Sequence, residues 1–149
     1  MIVADTNVLS ELMRIAPDPG VVSWFESISA PEFFATSVTE AEVRTGLRSL
    51  PRGRRRRRLT ESAERLFGHF TPERILAFDR RAAAAFARIF VHRQQAGRPI
   101  GVADCQIAAI ASVHGAVVAT RNLRDFSDTG VELVNPWRRG GGGGALPVT

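Results

Sequence analysis

Ile2-Val3-Ala4-Asp5-Thr6-Asn7-Val8-Leu9-Ser10-Glu11 decides how the rest of the chain is read. Ile2–Ala4 is a short apolar run of strand type, and a small helix around Val8–Met13 follows it at once. A strand that feeds directly into a helix is the first half of a βαβ unit. The same alternation recurs outward. Asp18-Pro19 places an N-cap and a first-turn proline ahead of a helix in which Val22, Phe25 and Ile28 recur at helical spacing, to about Ser29. Phe33–Thr36 reads as the second strand, and Thr39 to Leu50 as a helix stopped by Pro51 and Gly53. Leu59, Ala63, Leu66, Phe67 and Phe70 share one face of the next helix. Ile75–Phe78 is the third strand, and Asp79 caps an alanine-rich helix to about Gln95. A helix from Val102 to His114 is closed by Gly115, Ala116–Ala119 is the fourth strand, Leu123–Phe126 a short helical turn, and Val131–Val134 the last strand. The expected class is α/β: three layers, with a central, mostly parallel sheet of about five short strands and helices on both faces.

The chain has 149 residues, 44% hydrophobic and 23% charged, enough for one domain with one sizeable core. The domain is expected over 1–138. After Trp137 come two arginines, five glycines and Ala145–Thr149, and the stretch 139–149 is flexible by composition.

Net charge is +5, and all twenty basic residues are arginine; lysine and tyrosine are both missing. A Walker A loop, Schiff-base chemistry and lysine general bases are thereby excluded, as are tyrosine nucleophiles. Phosphatases of the haloacid dehalogenase type, which also place an aspartate after a first strand, are disfavoured for want of their lysine. The single cysteine, Cys105, excludes an intrachain disulfide and a thiolate-rich zinc site. It reads as a small core residue. No Gly-x-Ser-x-Gly elbow is present. His69, His92 and His114 lack metal-ligand spacing, and Trp24 and Trp137 read as packing anchors. With no apolar span near 20 residues and no signal-peptide pattern at Met1–Asp5, the expected location is the cytoplasm, with no membrane contact.

In an open parallel sheet, ligands collect outside the carboxyl ends of the strands. Asp5 ends the first strand, Glu42 lies in the first turn of the helix after the second, Asp104 in the first turn of the helix before the fourth, and Asn122 and Asp125 just beyond the fourth. Four elements thus direct oxygen ligands to one edge. Such a set suits a hard cation, Mg²⁺ or Mn²⁺, and without one the acids would repel each other and their pKa values would rise. Each residue also has a purely structural reading. Asp5-Thr6-Asn7 reads as a capping turn, Glu42 as the partner of Thr39 in a capping box, Asp104 as a charge at a helix N-terminus, Asn122 as a cap, and Asp125 as a solvated acid. Asp104 shares its helical face with Ile107, Ala108 and Ala111, where an unpartnered charge is costly.

Read together, four motifs resemble the PIN-domain ribonucleases, above all the VapC toxins and the FitB branch. They are Ile2–Glu11; Ser37-Val-Thr-Glu-Ala-Glu42-Val-Arg-Thr-Gly46; Val102-Ala-Asp104-Cys-Gln-Ile-Ala-Ala109; and Ala119-Thr-Arg-Asn122-Leu-Arg-Asp125-Phe126 with Asn135-Pro136-Trp137 behind it. The resemblance runs from residue 1 to about 138. It implies a PIN fold, a homodimer, and Mg²⁺-dependent hydrolysis of RNA phosphodiesters by the toxin of a type II toxin–antitoxin pair, with DNA met only through the antitoxin. Asp5, Glu42 and Asp104 match the acidic triad, with Asp5 and Asp104 as metal ligands and Glu42 holding or deprotonating the attacking water. Asn122 is the fourth catalytic candidate: it stands where some relatives carry aspartate, which points to one firmly bound ion rather than two, and it or Asp125 completes the shell. Asp125, Thr6 and Thr120 are accessory candidates. A PIN-like binding module acting through its partner is the alternative reading.

Pro51-Arg52-Gly53-Arg54-Arg55-Arg56-Arg57-Arg58 is the most conspicuous local feature. Arginines at a helix N-terminus oppose its dipole, and a polyanion would relieve that. RNA phosphate and an acidic antitoxin segment are both candidates, and a solvated helix start is the plain reading. Without these six arginines, fourteen basic residues face fifteen acidic ones. The charge excess is therefore local to this segment.

Overall fold

The computed structural model describes residues 1–138; the glycine-rich tail expected over 139–149 lies outside the described residues. Along the chain run β1 (Ile2–Ala4), α1 (Thr6–Leu12), α2 (Pro19–Glu26), β2 (Phe33–Thr36), α3 (Ser37–Ser49), α4 (Arg54–Gly68), β3 (Ile75–Leu76), α5 (Arg80–Gln95), α6 (Val102–His114), β4 (Val117–Ala119), α7 (Leu123–Phe126) and β5 (Leu133–Val134). The sheet order is β3-β2-β1-β4-β5, with every pairing parallel. The expected mostly parallel sheet is thus parallel throughout.

Strand alternation sorts the core into two layers. Val3 and Val118 point to the face packed by Ala85 and Ile89 of α5 and by the apolar stripe of α6. Ala4 and Ala119 point to the other face, where Val8, Leu9, Val43, Ala63 and Phe67 of α1, α3 and α4 gather around Phe33. Alanine at these two positions lets α1 approach the sheet closely just where β1 ends. Arg93 of α5, buried, donates to the carbonyls of Arg98 and Ser127, and so ties the turn before α6 to the segment after α7.

The edge strands are shorter than their apolar runs. β3 pairs only with β2, in register Ala35↔Ile75 and Thr36↔Leu76. Because Thr36 ends β2 as the N-cap of α3, Ala77 and Phe78 find no ladder. β5 likewise starts at Leu133, opposite Val118, while Val131 is buried without pairing. Asp18, Asp79 and Gly115 act as read: Asp18 accepts from the N–H groups of Gly20 and Val21, and Asp79 from that of Ala82. Gly115 takes the left-handed conformation at φ 60°. The second helix stops at Glu26, with Ser27 as its cap, rather than reaching Ser29.

β1 occupies the centre because the chain first builds outward through β2 and β3, then crosses back to lay β4 and β5 on the other side. The crevice beyond the ends of β1 and β4 is therefore the topological switch point.

Candidate active site

The site grows from that crevice. Asp5 follows the last residue of β1 and Thr120 the last residue of β4. Pairing of Ala4 with Ala119 sets the two side by side. The Thr120 hydroxyl donates to Asp5 Oδ2 (2.8 Å), the Asn7 amide donates to the same oxygen (2.6 Å), and the Thr6 N–H donates to Asp5 Oδ1 (2.6 Å). An ionised carboxylate has about four lone-pair sites. Three are taken, and the open one lies on Oδ1. Asp5 is a helix cap, as its local sequence allows, yet it is only 3% exposed and carries no ion pair among the described residues. Burial pushes its carboxyl up to about 6; the hydrogen bonds from Thr120 and Thr6 pull the other way, and the charges of Asp104 and Glu42 add to the rise.

Glu42 does not complete a capping box with Thr39. Helix α3 begins at Ser37, and the box joins Thr36 and Thr39, each side chain accepting the other's N–H at 2.9 Å. Glu42 therefore falls in the second turn, one turn later than its spacing from the expected start predicted, with no capping duty. Its Oε2 accepts from the Thr6 hydroxyl at 2.5 Å. Thr6 thus bridges Asp5, through its N–H, and Glu42, through its hydroxyl.

Asp104 sits in the first turn of α6, half-buried. Desolvation raises its pKa, with further contributions from the charges of Asp125 and Glu42. Asp125 is exposed, as its solvated reading requires, but its charge falls on Asp104. Asn122 occupies the N-cap position of α7 without a side-chain cap hydrogen bond. It is exposed, and its N–H donates to the Thr120 hydroxyl at 2.9 Å.

Asn7 was not among the expected site residues, because Asp-Thr-Asn reads locally as a capping turn. Its amide nitrogen bonds Asp5 and also Thr120 (3.2 Å), and its oxygen accepts the Arg121 N–H (3.1 Å), so it fastens the β1 and β4 ends together. Only its place two residues after Asp5 hinted at this. His69, His92 and His114 are all exposed, each at or near the end of a different helix. Cys105 is buried, with its thiol pushed up to about 11 and donating to the Phe86 carbonyl (3.7 Å), as a packed core thiol should be.

Among the described residues, no three His, Cys, Asp or Glu side chains converge closely enough to form a ready-made ligand set. The charges of Asp104 and Glu42 nevertheless act on Asp5, those of Asp125 and Glu42 act on Asp104, and none of the four has an ion-pair partner among the described residues. Oxygen donors with surplus negative charge fit a hard divalent cation that keeps much of its water shell, for which one or two carboxylates suffice.

Thr120→Val is expected to cost about 1–3 kcal/mol, because Asn7 and the Asn122 N–H lose an acceptor and Asp5 loses a donor in a buried network. Urea unfolding of the variant checks this, and an unchanged midpoint would show that the network does not hold the site together.

Residues 2–132 match the PIN domain family. VapC ribonuclease Y4jK of Sinorhizobium fredii is 39% identical over 140 residues, spanning 92% of this chain and 98% of the relative. Toxin FitB of Neisseria gonorrhoeae is 37% identical over 137 residues, spanning 92% and 99%. A chain in the structure of FitAB bound to an IR36 DNA fragment superposes with a TM-score of 0.87 at 36% identity, over 96% of this chain and 100% of that one. The all-parallel sheet, the carboxylates at its switch point and these likenesses agree: the chain belongs to the PIN-domain family, in the branch that contains the VapC and FitB proteins.

Proposed function

We propose that this protein is a divalent-metal-dependent endoribonuclease, the toxin of a toxin–antitoxin pair. The observation that carries the reading is the set of four acids without ion-pair partners among the described residues, buried Asp5 with Glu42, Asp104 and Asp125, at the switch point of the sheet. A fold that holds such acids against their own repulsion pays stability that function must justify.

Asp5, through Oδ1, and Asp104 would hold the ion, Mg²⁺ or Mn²⁺. When bound, it supplies Lewis-acid neutralisation of the scissile phosphate and a lowered pKa for water. Glu42 keeps Oε1 free once Oε2 accepts from Thr6, and Oε1 takes the proton of the attacking water. Thr6 and Thr120 are positioning residues: one sets Glu42 against Asp5, the other holds Asp5 in place. Asp125 adds negative charge beside Asp104, and the Asn122 amide stands at the rim as a neutral hydrogen-bonding group, which is why a single ion is proposed.

A solved relative is FitAB on DNA, and another is FitAcB from Neisseria gonorrhoeae. By that likeness the partners proposed here are a cognate antitoxin, DNA through the antitoxin, and a second copy of the chain. No helix among the described residues is long and apolar enough to cross a membrane; a cytoplasmic location is part of the proposal.

The test is cleavage of labelled single-stranded RNA with Mg²⁺ or Mn²⁺. Cleavage should vanish in EDTA and return on adding the metal, and Glu42→Gln should lower its rate roughly a hundredfold or more. Cleavage that persists in EDTA would overturn the metal-dependent reading. RNA binding without cleavage under any metal would replace it with a binding module.

A further inference from the structure

We infer that the site-facing arginines of α4 and the Arg121–Trp137 pair are opposite walls of a track that carries single-stranded RNA into the carboxylate site. The inference rests on the ribonuclease reading above and adds to it the residues that hold the substrate away from the reacting phosphate.

The helical screw of α4 divides its arginine run. Arg54, Arg55 and Arg58 line a groove of about 1000 Å³ that they share with Thr6, Asn7 and Glu42 of the site and with the Glu11–Arg14 ion pair. Arg56 and Arg57 turn instead, with Arg52, into a separate groove of about 650 Å³ that also contains Glu61 and Glu64. The groove at the site is thus the one in which three guanidinium groups meet no acid of their own helix.

Helix α4 begins badly as a helix. Its N-cap is Gly53, without a side-chain cap, and its first turn holds no acid. None of Arg52 or Arg54–Arg58 forms an ion pair among the described residues. Five consecutive cations at the positive end of a helix repel both the dipole and one another. A chain of phosphates along the groove removes that repulsion and gains charge-assisted contacts to guanidinium groups.

The opposite wall identifies the polyanion. Trp137 lines the same groove, partly exposed, with the Arg121 guanidinium over its ring at 5.4 Å from the centroid. Aromatic faces and arginine planes are what unstacked bases pack on, and a basic groove with such a platform is the pattern of single-strand binding. The indole also packs on the core, and an acidic peptide would use the arginines without a base to stack on the exposed part of the Arg121–Trp137 pair. Phosphates drawn to α4 and bases to Trp137 orient the strand along the groove, while Glu42 in the same groove repels any phosphate that arrives without a cation.

The experiment measures the affinity of a fluorescein-labelled single-stranded RNA of mixed sequence for the Asp104→Asn protein, which should leave the RNA intact, across a salt series. Adding Arg54→Gln, Arg55→Gln and Arg58→Gln should weaken binding by about tenfold or more and flatten the log–log salt slope by about 2, at roughly 0.7 per lost phosphate contact. Arg56→Gln with Arg57→Gln, the control on the far groove, should weaken binding less than threefold. Trp137→Leu, which keeps an apolar group in place, should weaken binding roughly five- to tenfold with the slope unchanged. Melting temperatures show that each variant is folded, and that of the triple variant should equal or exceed its parent's.

Equal loss per charge from the two arginine sets would overturn the track in favour of diffuse attraction. So would a triple variant that keeps its RNA affinity but loses affinity for a polyglutamate peptide, since the wall would then serve an acidic partner. The two readings fail separately. If wild type cleaves RNA and the triple variant binds it as tightly as its parent, only the track is wrong. If wild type does not cleave, the ribonuclease reading is wrong, and the binding series still decides what the groove holds.

Discussion

Asp104→Asn is expected to lower RNA cleavage at least about a hundredfold in a protein that is as stable as wild type or slightly more so. The two halves of that outcome have different causes. Ionised Asp104 gains from the N-terminal dipole of α6, a few tenths of a kcal/mol to about 1. Its pKa is nonetheless raised, by desolvation first and then by Asp125 and Glu42. The fold on balance disfavours the charge, so an isosteric amide relieves repulsion rather than breaking a structural bond. On the proposed reading activity depends on that same charge, because a neutral amide holds poorly the divalent cation that offsets the phosphate's charge. Cleavage assays and urea melts on one preparation check both halves. Full cleavage by the variant would remove Asp104 from the metal site. A loss of several kcal/mol would show that it is a structural residue after all.

The contrast with Glu42 shows where local sequence stops being informative. Thr39 and Glu42 have the spacing of a capping box, and the pattern is satisfied on paper. Thr36, the last residue of β2, takes the cap because the strand must end there, and it pairs with Thr39 instead. Which of two overlapping boxes forms is decided by where the sheet releases the chain, a tertiary fact. The edge strands behave in the same way: Ala77 and Phe78 are strand-like residues with no neighbour to pair with. Caps whose partners lie within one turn, such as Asp18 and Asp79, were legible, as was Gly115. That Asp5 and the segment after β4 meet at one edge was legible too, because parallel topology alone brings those strand ends together. What could not be read was the bonding among them. Thr120 reaches Asp5 from a strand end that neighbours β1 only through the crossover, Asn7 joins both from the start of α1, and the division of the arginine run between two grooves depends on how α4 is rotated against α3.

The metal-free protein should show a pH dependence of stability that Asp5 dominates and that runs opposite to ordinary acid denaturation. Its carboxyl stands at about 6 in the fold against 3.8 in an unfolded chain. Between these values the folded state holds a proton that the unfolded state has released, so stability falls as pH rises through the window. At 1.36 kcal/mol per unit the full loss is about 3 kcal/mol, complete by neutral pH. Other carboxylates titrate nearby, so the quantity to measure is the difference in unfolding free energy between Asp5→Asn and wild type, by urea melts in EDTA at a series of pH values. The variant starts at a disadvantage, since its amide nitrogen faces donors from Asn7 or Thr6. The gap should nevertheless move in the variant's favour by about 2.4 kcal/mol from pH 4 to 7, the rest of the loss falling below pH 4. A gap that stays constant would mean that Asp5 is not held as a buried acid. Mg²⁺ should stabilise wild type more at pH 7 than at pH 5, because the cation competes with the proton for the same oxygens, and it should stabilise Asp5→Asn at neither. Equal stabilisation of both proteins would place the ion elsewhere. A buried acid whose charge the fold resists and a cation then restores would tie the metal's affinity to the protein's own stability, which is what a carboxylate at the switch point of this sheet is built to do.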